Sequence, residues 1–234
     1  TKSGIKEWIR QEGTPYRDRG WGVATDPTGA VFITGYTEGS LHDNVNLGSY
    51  DIFLSKYDSN GTRQWTQQFG TSKKDYGSRL VIDNHYIFLI GESYGALDGQ
   101  TNFGGYDAFV MKFNSVGNKL WTQQFGTSEN DVVWGSDTDS SGNIYITGYT
   151  EGGLDGNLNS GGMDLFLFKY NMNGTNSSVR ILGSSYHEMG KGVVTDSFDN
   201  IYVVAETNGG MDGYLNSGGS DIFLIKFDSE GNKQ

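Results

Sequence analysis

The strongest constraint on how this chain folds is an internal repeat of about 57 residues. The seven residues Trp65–Thr71, WTQQFGT, return unchanged at Trp121–Thr127. A second motif, Asp-x-Phe-(Leu/Val)-x-Lys-(Tyr/Phe), begins at four Asp residues that are 56, 57 and 57 positions apart: Asp51, Asp107, Asp164 and Asp221. A unit of this length cannot bury its apolar surface alone, so neighbouring copies must stack on one another.

Each repeat has the pattern of four short strands separated by turns. The first strand begins at an acidic residue, the second is β-branched and aromatic, the third is the Asp-x-Phe motif, and the fourth is the Trp-Thr-Gln-Gln-Phe motif. Turn dipeptides such as Asn60-Gly61 favour hairpins between strands. Apolar residues run almost without interruption through the second and third strands, which indicates a sheet covered on both faces, as in a propeller blade.

The sequence therefore predicts an all-β fold, a β-propeller with four blades of four antiparallel strands. The chain opens with a fourth-strand motif at Gly4–Gln11, around Trp8, while the last repeat lacks one. We predict that this N-terminal strand completes the last blade and closes the ring as a monomer, which removes two exposed sheet edges. A paired ring of two chains with eight blades and an open arc of blades are alternatives. The predicted single domain spans 1–234, with repeats at about 8–64, 65–120, 121–177 and 178–234.

Three segment patterns together resemble a known repeat family. They are Trp-x-x-Gln-x-Gly-Thr, Asp-x-x-Gly-Asn-Ile-Tyr-x-Thr-Gly and Gly-Gly-x-Asp-x-Phe-x-x-Lys-(Tyr/Phe), and they recur along the whole chain. In this combination the chain resembles the SBBP-type bacterial β-propeller repeat. The resemblance implies a propeller in a secreted or cell-surface protein of a bacterium or archaeon, and it implies no reaction. Ser178 in place of the Trp and Ala205 in place of a Gly depart from the pattern.

Charge and hydropathy exclude two classes of partner. The net charge of −11 opposes binding to the phosphate backbone of nucleic acid, which needs a basic surface. No apolar run approaches the roughly 18 residues of a transmembrane segment. Cysteine is absent, so no disulfide frames the fold.

The loops between the second and third strands are long and carry a repeated polar pattern. Carboxylate and amide oxygens at short spacing suit Ca²⁺, but no Glu is placed to bind bidentately. Because the pattern recurs in every repeat, we favour hydrogen bonding of these side chains to their own loop backbone, with no metal, and keep Ca²⁺ as the alternative. The residues concerned are Asp98, Asn102, Asp107, Asp155, Asn159, Asp164, Asp212, Asn216 and Asp221.

Positions that differ between repeats are more informative about function, because shared packing does not require them. In the first strand one such column reads Trp21, Ser78, Trp134 and Lys191, and the next contains Arg79 among glycines. Trp21, Trp134, Arg79 and Lys191 are candidates for a site that presents ring faces and hydrogen-bond donors to a sugar or an anionic ligand. We favour the simpler interpretation that both Trp rings fill the channel of a small ring, and keep the ligand site as the alternative.

The sequence offers few residues in patterns that are typical of catalytic sites. There is no nucleophile elbow, and the three histidines, His42, His85 and His187, occupy unrelated repeat positions. We expect a non-catalytic, surface-exposed module for binding or adhesion, with a glycan or protein ligand at its loop face, or a repeat scaffold. The alternatives are a carbohydrate-active enzyme with its site at the channel mouth and a purely structural repeat array.

Overall fold

The computed structural model describes residues 6–83 and 85–234, which form fifteen β-strands in four antiparallel sheets. Each sheet corresponds to one repeat and is called a blade, numbered in chain order. Blade 1 contains β1 (Asp18–Thr25), β2 (Val31–Thr37), β3 (Asp51–Tyr57) and β4 (Arg63–Phe69). Blade 2 contains β5 (Asp75–Ile82), β6 (Tyr86–Ser93), β7 (Asp107–Asn114) and β8 (Lys119–Phe125). Blade 3 contains β9 (Asp131–Thr138), β10 (Ile144–Thr150), β11 (Asp164–Tyr170) and β12 (Asn176–Leu182). Blade 4 contains β13 (Glu188–Thr195), β14 (Ile201–Thr207) and β15 (Asp221–Phe227).

The strands pair in sequence order within each blade, as the hairpin signals predict. In the β3–β4 hairpin, the Asp58 carboxylate accepts hydrogen bonds from the backbone N–H of Asn60 at 3.0 Å and Thr62 at 2.8 Å. Gly61 then takes a φ of 75°, which reverses the chain. Outside the strands there is one 3-10 turn, Leu97–Gly99, and no helix in the described part of the chain has the length and apolar character to cross a membrane.

The blades stack face to face through apolar side chains of their middle strands. Ile52 and Leu54 of β3 are fully buried in one cluster with Phe109 and Met111 of β7. The same two faces meet at the junctions of blade 2 with blade 3 and of blade 3 with blade 4. Full burial of each such side chain stabilises the fold by about 1.5–3 kcal/mol, so these junctions are the main source of stability.

A Trp of the fourth strand closes two of the three junctions at their outer edge, and the fourth strand of blade 3 has Ser178 at this position. Trp65 lies on the β7–β8 turn, and a Cβ built on Gly117 of that turn would approach the Trp65 Cζ2 atom to 2.7 Å. Trp121 lies in the same way on Gly174 in the next blade, where its Nε1 donates to the Met172 carbonyl at 3.3 Å. Each of these two fourth strands therefore belongs to one blade and contacts the next.

The segment 6–14 takes this same place against blade 1. The Trp8 ring lies on Gly61, and its Nε1 donates to the Ser59 carbonyl at 3.2 Å. Arg10 Nε donates to the Gly61 carbonyl at 2.7 Å, and the Tyr57 hydroxyl hydrogen-bonds to Glu12. These contacts place the segment where the fourth strand of a preceding blade would lie.

Closure of the ring by this segment is not confirmed. Blade 4 has three strands in the described residues, extended only by a bridge between Phe227 and Lys233. Residues 6–11 of the predicted strand form none and instead contact blade 1, while Gly4 and Ile5 lie outside the described residues. The outer face of β15 consequently stays open: Ile222 and Leu224 are 80% and 70% exposed. Residues 6–83 and 85–234 thus form an open arc of four blades.

The Trp–Gly contact can be tested with a matched pair of substitutions. We expect Gly117→Ala to lower the free energy of unfolding by about 1–3 kcal/mol more than Gly99→Ala does. Both glycines have positive φ, 94° and 76°, but a Cβ at Gly99 would meet nothing within 4 Å. Denaturant unfolding of the two variants measures the difference. Equal losses would show that backbone strain alone, and not the Trp65 ring, requires glycine in the turn.

Candidate ligand-binding site

The variable column in the first strand coincides with a β-bulge in every blade. Trp21, Ser78, Trp134 and Lys191 are each the residue skipped in the pairing of the first and second strands. A bulge leaves one residue without a cross-strand partner and re-aims its side chain. The first strands of successive blades pack on one another, β1 on β5, β5 on β9 and β9 on β13, so these bulges line the inner edge of the arc.

The bulge residues alternate in character from blade to blade. In blades 1 and 3 the bulge Trp meets a Tyr of the second strand edge-on, with ring centroids 5.2 Å apart in both Trp21–Tyr36 and Trp134–Tyr149. In blade 2, Ser78 Oγ donates to Glu92 Oε2 at 2.6 Å, and in blade 4 an ion pair takes its place. The inner edge therefore alternates between aromatic and polar pairs.

Contacts between blades connect the four predicted residues and Tyr76 along the inner edge. We call this group the inner strip, which consists of Trp21, Tyr76, Arg79, Trp134 and Lys191. The Trp21 ring stacks on Tyr76 at 5.4 Å and an angle of 28°. Arg79 Nε donates to the Trp134 carbonyl at 2.8 Å, and Lys191 Nζ lies 3.5 Å from the centroid of the Trp134 ring. Arg79, Trp134 and Lys191 are thus brought together, whereas Trp21 joins the strip through Tyr76.

Tyrosines enlarge the strip at the junction of blades 1 and 2. Tyr36, Tyr50 and Tyr76 contact one another with ring centroids 4.8–5.5 Å apart, and Tyr106 lies 5.9 Å from Tyr76. Burial and a hydrogen bond with Tyr106 raise the pKa of Tyr76, so its hydroxyl stays a donor at neutral pH. Sequence reasoning missed Tyr76, although its column (Arg19, Tyr76, Val132, Met189) also differs between repeats.

The long loops share one face of the arc with the connections between blades. The N–H of Ser49, in the β2–β3 loop, donates to the Lys73 carbonyl at 3.1 Å in the connection from β4 to β5. The N–H of Tyr94 donates to the Lys74 carbonyl at 2.9 Å. Tyr50 also lies in this region, with Lys74 Nζ 5.4 Å from its ring centroid, so the tyrosine cluster reaches the loop face.

The residues considered for Ca²⁺ make separate local contacts. Asp98 accepts from Lys119 Nζ at 2.5 Å, and Asp107 accepts from the N–H of Phe103 at 2.7 Å. Asn102 Nδ2 donates to the Ser93 carbonyl at 3.3 Å. Blades 3 and 4 repeat the pattern of local partners: Asp155 with Asn176, Asn159 with Thr150, Asp164 with Ser160, Asp212 with Lys233, Asn216 with Thr207 and Asp221 with Ser217. No group of three His, Cys, Asp or Glu side chains with metal-binding geometry occurs among the described residues. The predicted hydrogen bonds to the loop backbone are present at the Asp that begins each third strand, whereas the first Asp of each pattern instead pairs with a side chain that follows the third strand: Asp98, Asp155 and Asp212. The Ca²⁺ alternative stays a prediction.

Each blade junction brings two buried acids together. A Cβ built on Gly126 would lie 2.4 Å from Asp107 Oδ1 and 2.9 Å from Asp131 Oδ2, so both carboxyl groups flank this glycine. Both residues are fully buried, and Asp107 Oδ1 has no hydrogen-bond partner. Burial raises the pKa of each to about 6. At the other junctions Asp51 and Asp75 flank Gly70, while Asp164 lies beside Gly183 and Glu188 accepts the N–H of the next residue, Ser184.

From the raised pKa of these buried acids we predict that the protein is more stable at pH 5 than at pH 8. Because the folded-state pKa of Asp107 and Asp131 lies above the unfolded value of about 3.9, their contribution is present below pH 4 and is lost as the pH rises through about 6. We expect Tm to fall between pH 5 and pH 8, and Asp107→Asn to make the fall smaller. Differential scanning calorimetry measures both.

The measurements are made above about pH 4.5. Below that value, carboxyls whose folded-state pKa is lowered make the protein less stable as the pH falls, which opposes the effect of Asp107 and Asp131. The pKa of Asp98 is lowered: burial opposes this, but hydrogen bonds from Lys119 and Thr122 favour its carboxylate. A Tm that is constant or rises from pH 5 to pH 8 in the unsubstituted protein would contradict the prediction.

Comparison with known proteins supports the resemblance to a known repeat family in the third and fourth repeats. The model of the SBBP β-propeller repeat matches residues 120–155 and 179–210. The regulatory protein FlaEY of Caulobacter vibrioides is 36% identical over 111 residues, which are 44% of this chain and 11% of that protein. An uncharacterized WD repeat-containing protein of Acanthamoeba polyphaga mimivirus is 23% identical over 227 residues, 78% of this chain and 16% of that protein. The chain thus spans a small part of the length of both relatives.

Among solved structures, a protein of unknown function from Bacteroides caccae matches with a TM-score of 0.43 and 10% identity, over 92% of this chain and 79% of that one. A mutant of the Synechocystis apocarotenoid oxygenase matches with a TM-score of 0.46 and 13% identity, over 99% of this chain and 52% of that one.

Proposed function

Since residues 120–155 and 179–210 are SBBP β-propeller repeats, we propose that the chain is a non-catalytic binding module with its ligand on the inner strip. The observation that carries this proposal is the Trp21 ring, which is 44% exposed although it is fixed by Tyr36 and Tyr76. A rigid aromatic ring that keeps a free surface provides contact area at little cost in side-chain entropy. A Trp that only filled a channel would be buried.

The chemistry of the strip suits a glycan. The apolar face of a sugar ring packs on aromatic side chains, and its hydroxyl groups need both donors and acceptors nearby. Tyr76 and Arg79 provide donors on one side of the strip, and Glu206, paired with Lys191 at 3.1 Å, provides an acceptor on the other. The net charge of −11 disfavours polyanionic ligands, so a neutral glycan is the proposed class.

A scaffold role within a larger surface protein accompanies this proposal. The SBBP repeats support it, and so does the small share that this chain represents of both relatives, 11% and 16%. The relative FlaEY is named a regulatory protein of a bacterium, which fits a module that binds and positions a partner. From the resemblance to SBBP repeats we propose a location outside a bacterial or archaeal cell, with a role in adhesion or ligand capture.

Glycan binding should depend on the Trp21 ring. On an array of neutral glycans, we expect a bound glycan whose affinity falls about tenfold or more in Trp21→Ala and in Tyr76→Ala. Phe198→Ala is the control, because Phe198 is an aromatic residue even more exposed than Trp21, 81% against 44%, in the β13–β14 turn, away from the strip. Calorimetric titration of the best array ligand measures the affinities. Binding that is unchanged in both strip variants would overturn the proposed site.

One observation favours a second candidate, a carbohydrate-active enzyme. Glu92 is buried beside the strip, and burial raises its pKa to about 7, the range that suits a general acid. If Glu92 acts in this way, the protein releases reducing sugar from a polysaccharide, and Glu92→Gln abolishes the release while the fold is retained. Reducing-sugar assays on a polysaccharide panel separate the two functions. We expect that the protein releases no reducing sugar. We also expect that the glycan affinity of Glu92→Gln stays within about threefold of that of the unsubstituted protein.

A further inference from the structure

A row of aromatic rings leads from the inner strip to the loop face beside blade 2. In order along the row they are Trp21, Tyr76, Tyr106 and Tyr94, and successive ring centroids lie 5.4, 5.9 and 4.6 Å apart. We call these residues the aromatic row. Trp21 and Tyr76 belong to the inner strip, whereas Tyr94 and Tyr106 lie at the two ends of the long β6–β7 loop. The row therefore extends the aromatic surface of the strip well beyond Trp21.

Both ends of the aromatic row are accessible, and its rings are held in place. Trp21 is 44% exposed and Tyr94 is 46% exposed, while Tyr76 and Tyr106 between them are half-buried. The Tyr94 ring meets the Tyr106 ring edge-on, at an angle of 89°. The backbone N–H of Tyr94 also donates to the Lys74 carbonyl at 2.9 Å. The row is thus a fixed aromatic surface, which binds a ligand at little cost in side-chain entropy.

Packing of the blades does not require aromatic residues at these positions. The first two strands pair in the same register in blades 2, 3 and 4, with the bulge at the same place. In blades 3 and 4, however, the positions of Tyr76, Tyr94 and Tyr106 carry no aromatic ring; the residues there are Val132, Glu151, Met163, Met189, Asn208 and Ser220. The same fold forms without these tyrosines, so the row is a specific feature of one part of the arc.

Polar groups lie on both sides of the aromatic row. On the side of blade 1, Lys74 Nζ lies 5.4 Å from the centroid of the Tyr50 ring, which contacts the row. On the side of blade 3, Asn130 Oδ1 accepts from the Tyr106 N–H at 3.1 Å, and Asn130 Nδ2 donates to Glu151 Oε2 at 2.9 Å. An ammonium donor on one side and carboxylate and amide acceptors on the other suit the hydroxyl groups of sugars, which both donate and accept.

We propose that the inner strip is one end of an extended site, in which a linear neutral oligosaccharide of about four sugar units lies along the aromatic row. This inference rests on the proposed function, because it takes the glycan of that proposal and specifies its length and direction. The steps between neighbouring rings are close to the length of one sugar unit in a pyranose chain, so successive sugars contact successive rings. A single sugar would contact only Trp21 and Tyr76.

Calorimetric titration with linear oligosaccharides of two, four and six units tests the proposal. The probes are the β-1,4-glucan, β-1,4-mannan, β-1,4-xylan and α-1,4-glucan series. For the series that binds best, we expect the tetrasaccharide to bind about tenfold more tightly than the disaccharide, and the hexasaccharide to gain less than about twofold more. We expect Tyr94→Ala to lower the affinity for the tetrasaccharide about fivefold and to leave that for the disaccharide within about twofold, because Trp21 and Tyr76 hold the disaccharide.

Tyr94→Phe and Tyr186→Ala are the control variants. Tyr94→Phe keeps the aromatic ring, so its affinity for the tetrasaccharide should stay within about twofold of that of the unsubstituted protein. Tyr186 is a 58% exposed tyrosine in the connection from β12 to β13, at the junction of blades 3 and 4 and away from the row. Tyr186→Ala should change neither affinity. Both substituted positions are exposed, so Tm should stay the same in all three variants.

The outcomes separate the extended site from the function on which it rests. Equal affinities for the disaccharide and the tetrasaccharide, both lost in Trp21→Ala, overturn the extended site and leave the glycan on the inner strip. A gain with length that persists in Tyr94→Ala, or that Tyr94→Phe also removes, shows that the Tyr94 ring is not the contact and overturns the inference. Binding of array glycans but of none of the linear probes overturns it as well. If the unsubstituted protein binds no array glycan and no probe, the proposed function fails together with this inference.

Discussion

The junction between successive blades is the interaction on which the rest of this structure depends. Each blade is a thin sheet with apolar side chains on both faces, so it is stable only between neighbours. The fully buried Ile52 and Leu54 show what a neighbour provides, and the exposed Ile222 and Leu224 show what its absence leaves. Trp65 and Trp121, which reach from the fourth strands of blades 1 and 2 to the next turn, extend two of these junctions to their outer edge.

Packing between blades determines the residue types of the middle strands. Differences in residue type between the blades are therefore found at the bulge positions of the first strands. The bulge in each first strand releases one residue from cross-strand pairing, and that residue is a Trp, a Ser or a Lys according to the blade. The second strand has a glycine beside the bulge, because a Cβ on Gly35 would lie 1.8 Å from the Arg19 carbonyl oxygen. The bulge therefore leaves, in every blade, one position whose residue type is not fixed by cross-strand pairing. A row of such positions gives a uniform repeat a surface that is specific to this chain.

The sequence allowed the strands, their order and the inner column of Trp21 and Lys191 to be predicted, because these features repeat or interrupt a repeat. Whether the ring closes could not be predicted from the sequence, because the motif around Trp8 specifies the contacts of a fourth strand but not which sheet that strand joins. Tyr76 was missed because a single Tyr carries no periodic signal, and its importance arises from Tyr50 and Tyr106, which the long loops bring beside it. The bulge did have a sequence signal that was not used, since glycines such as Gly20 and Gly22 flank the bulge residue inside the strand.

The buried acid pairs follow from the same architecture. Asp51 accepts the N–H of Leu47 in a long loop, and Asp75 accepts the N–H of Thr71 in the connection between blades, so each carboxylate is required by its own loop. Those two loops must share one face because the strands alternate in direction. The repulsion between Asp51 and Asp75 is thus the cost of bringing both loops to that face, and burial adds to it by raising the pKa of each acid.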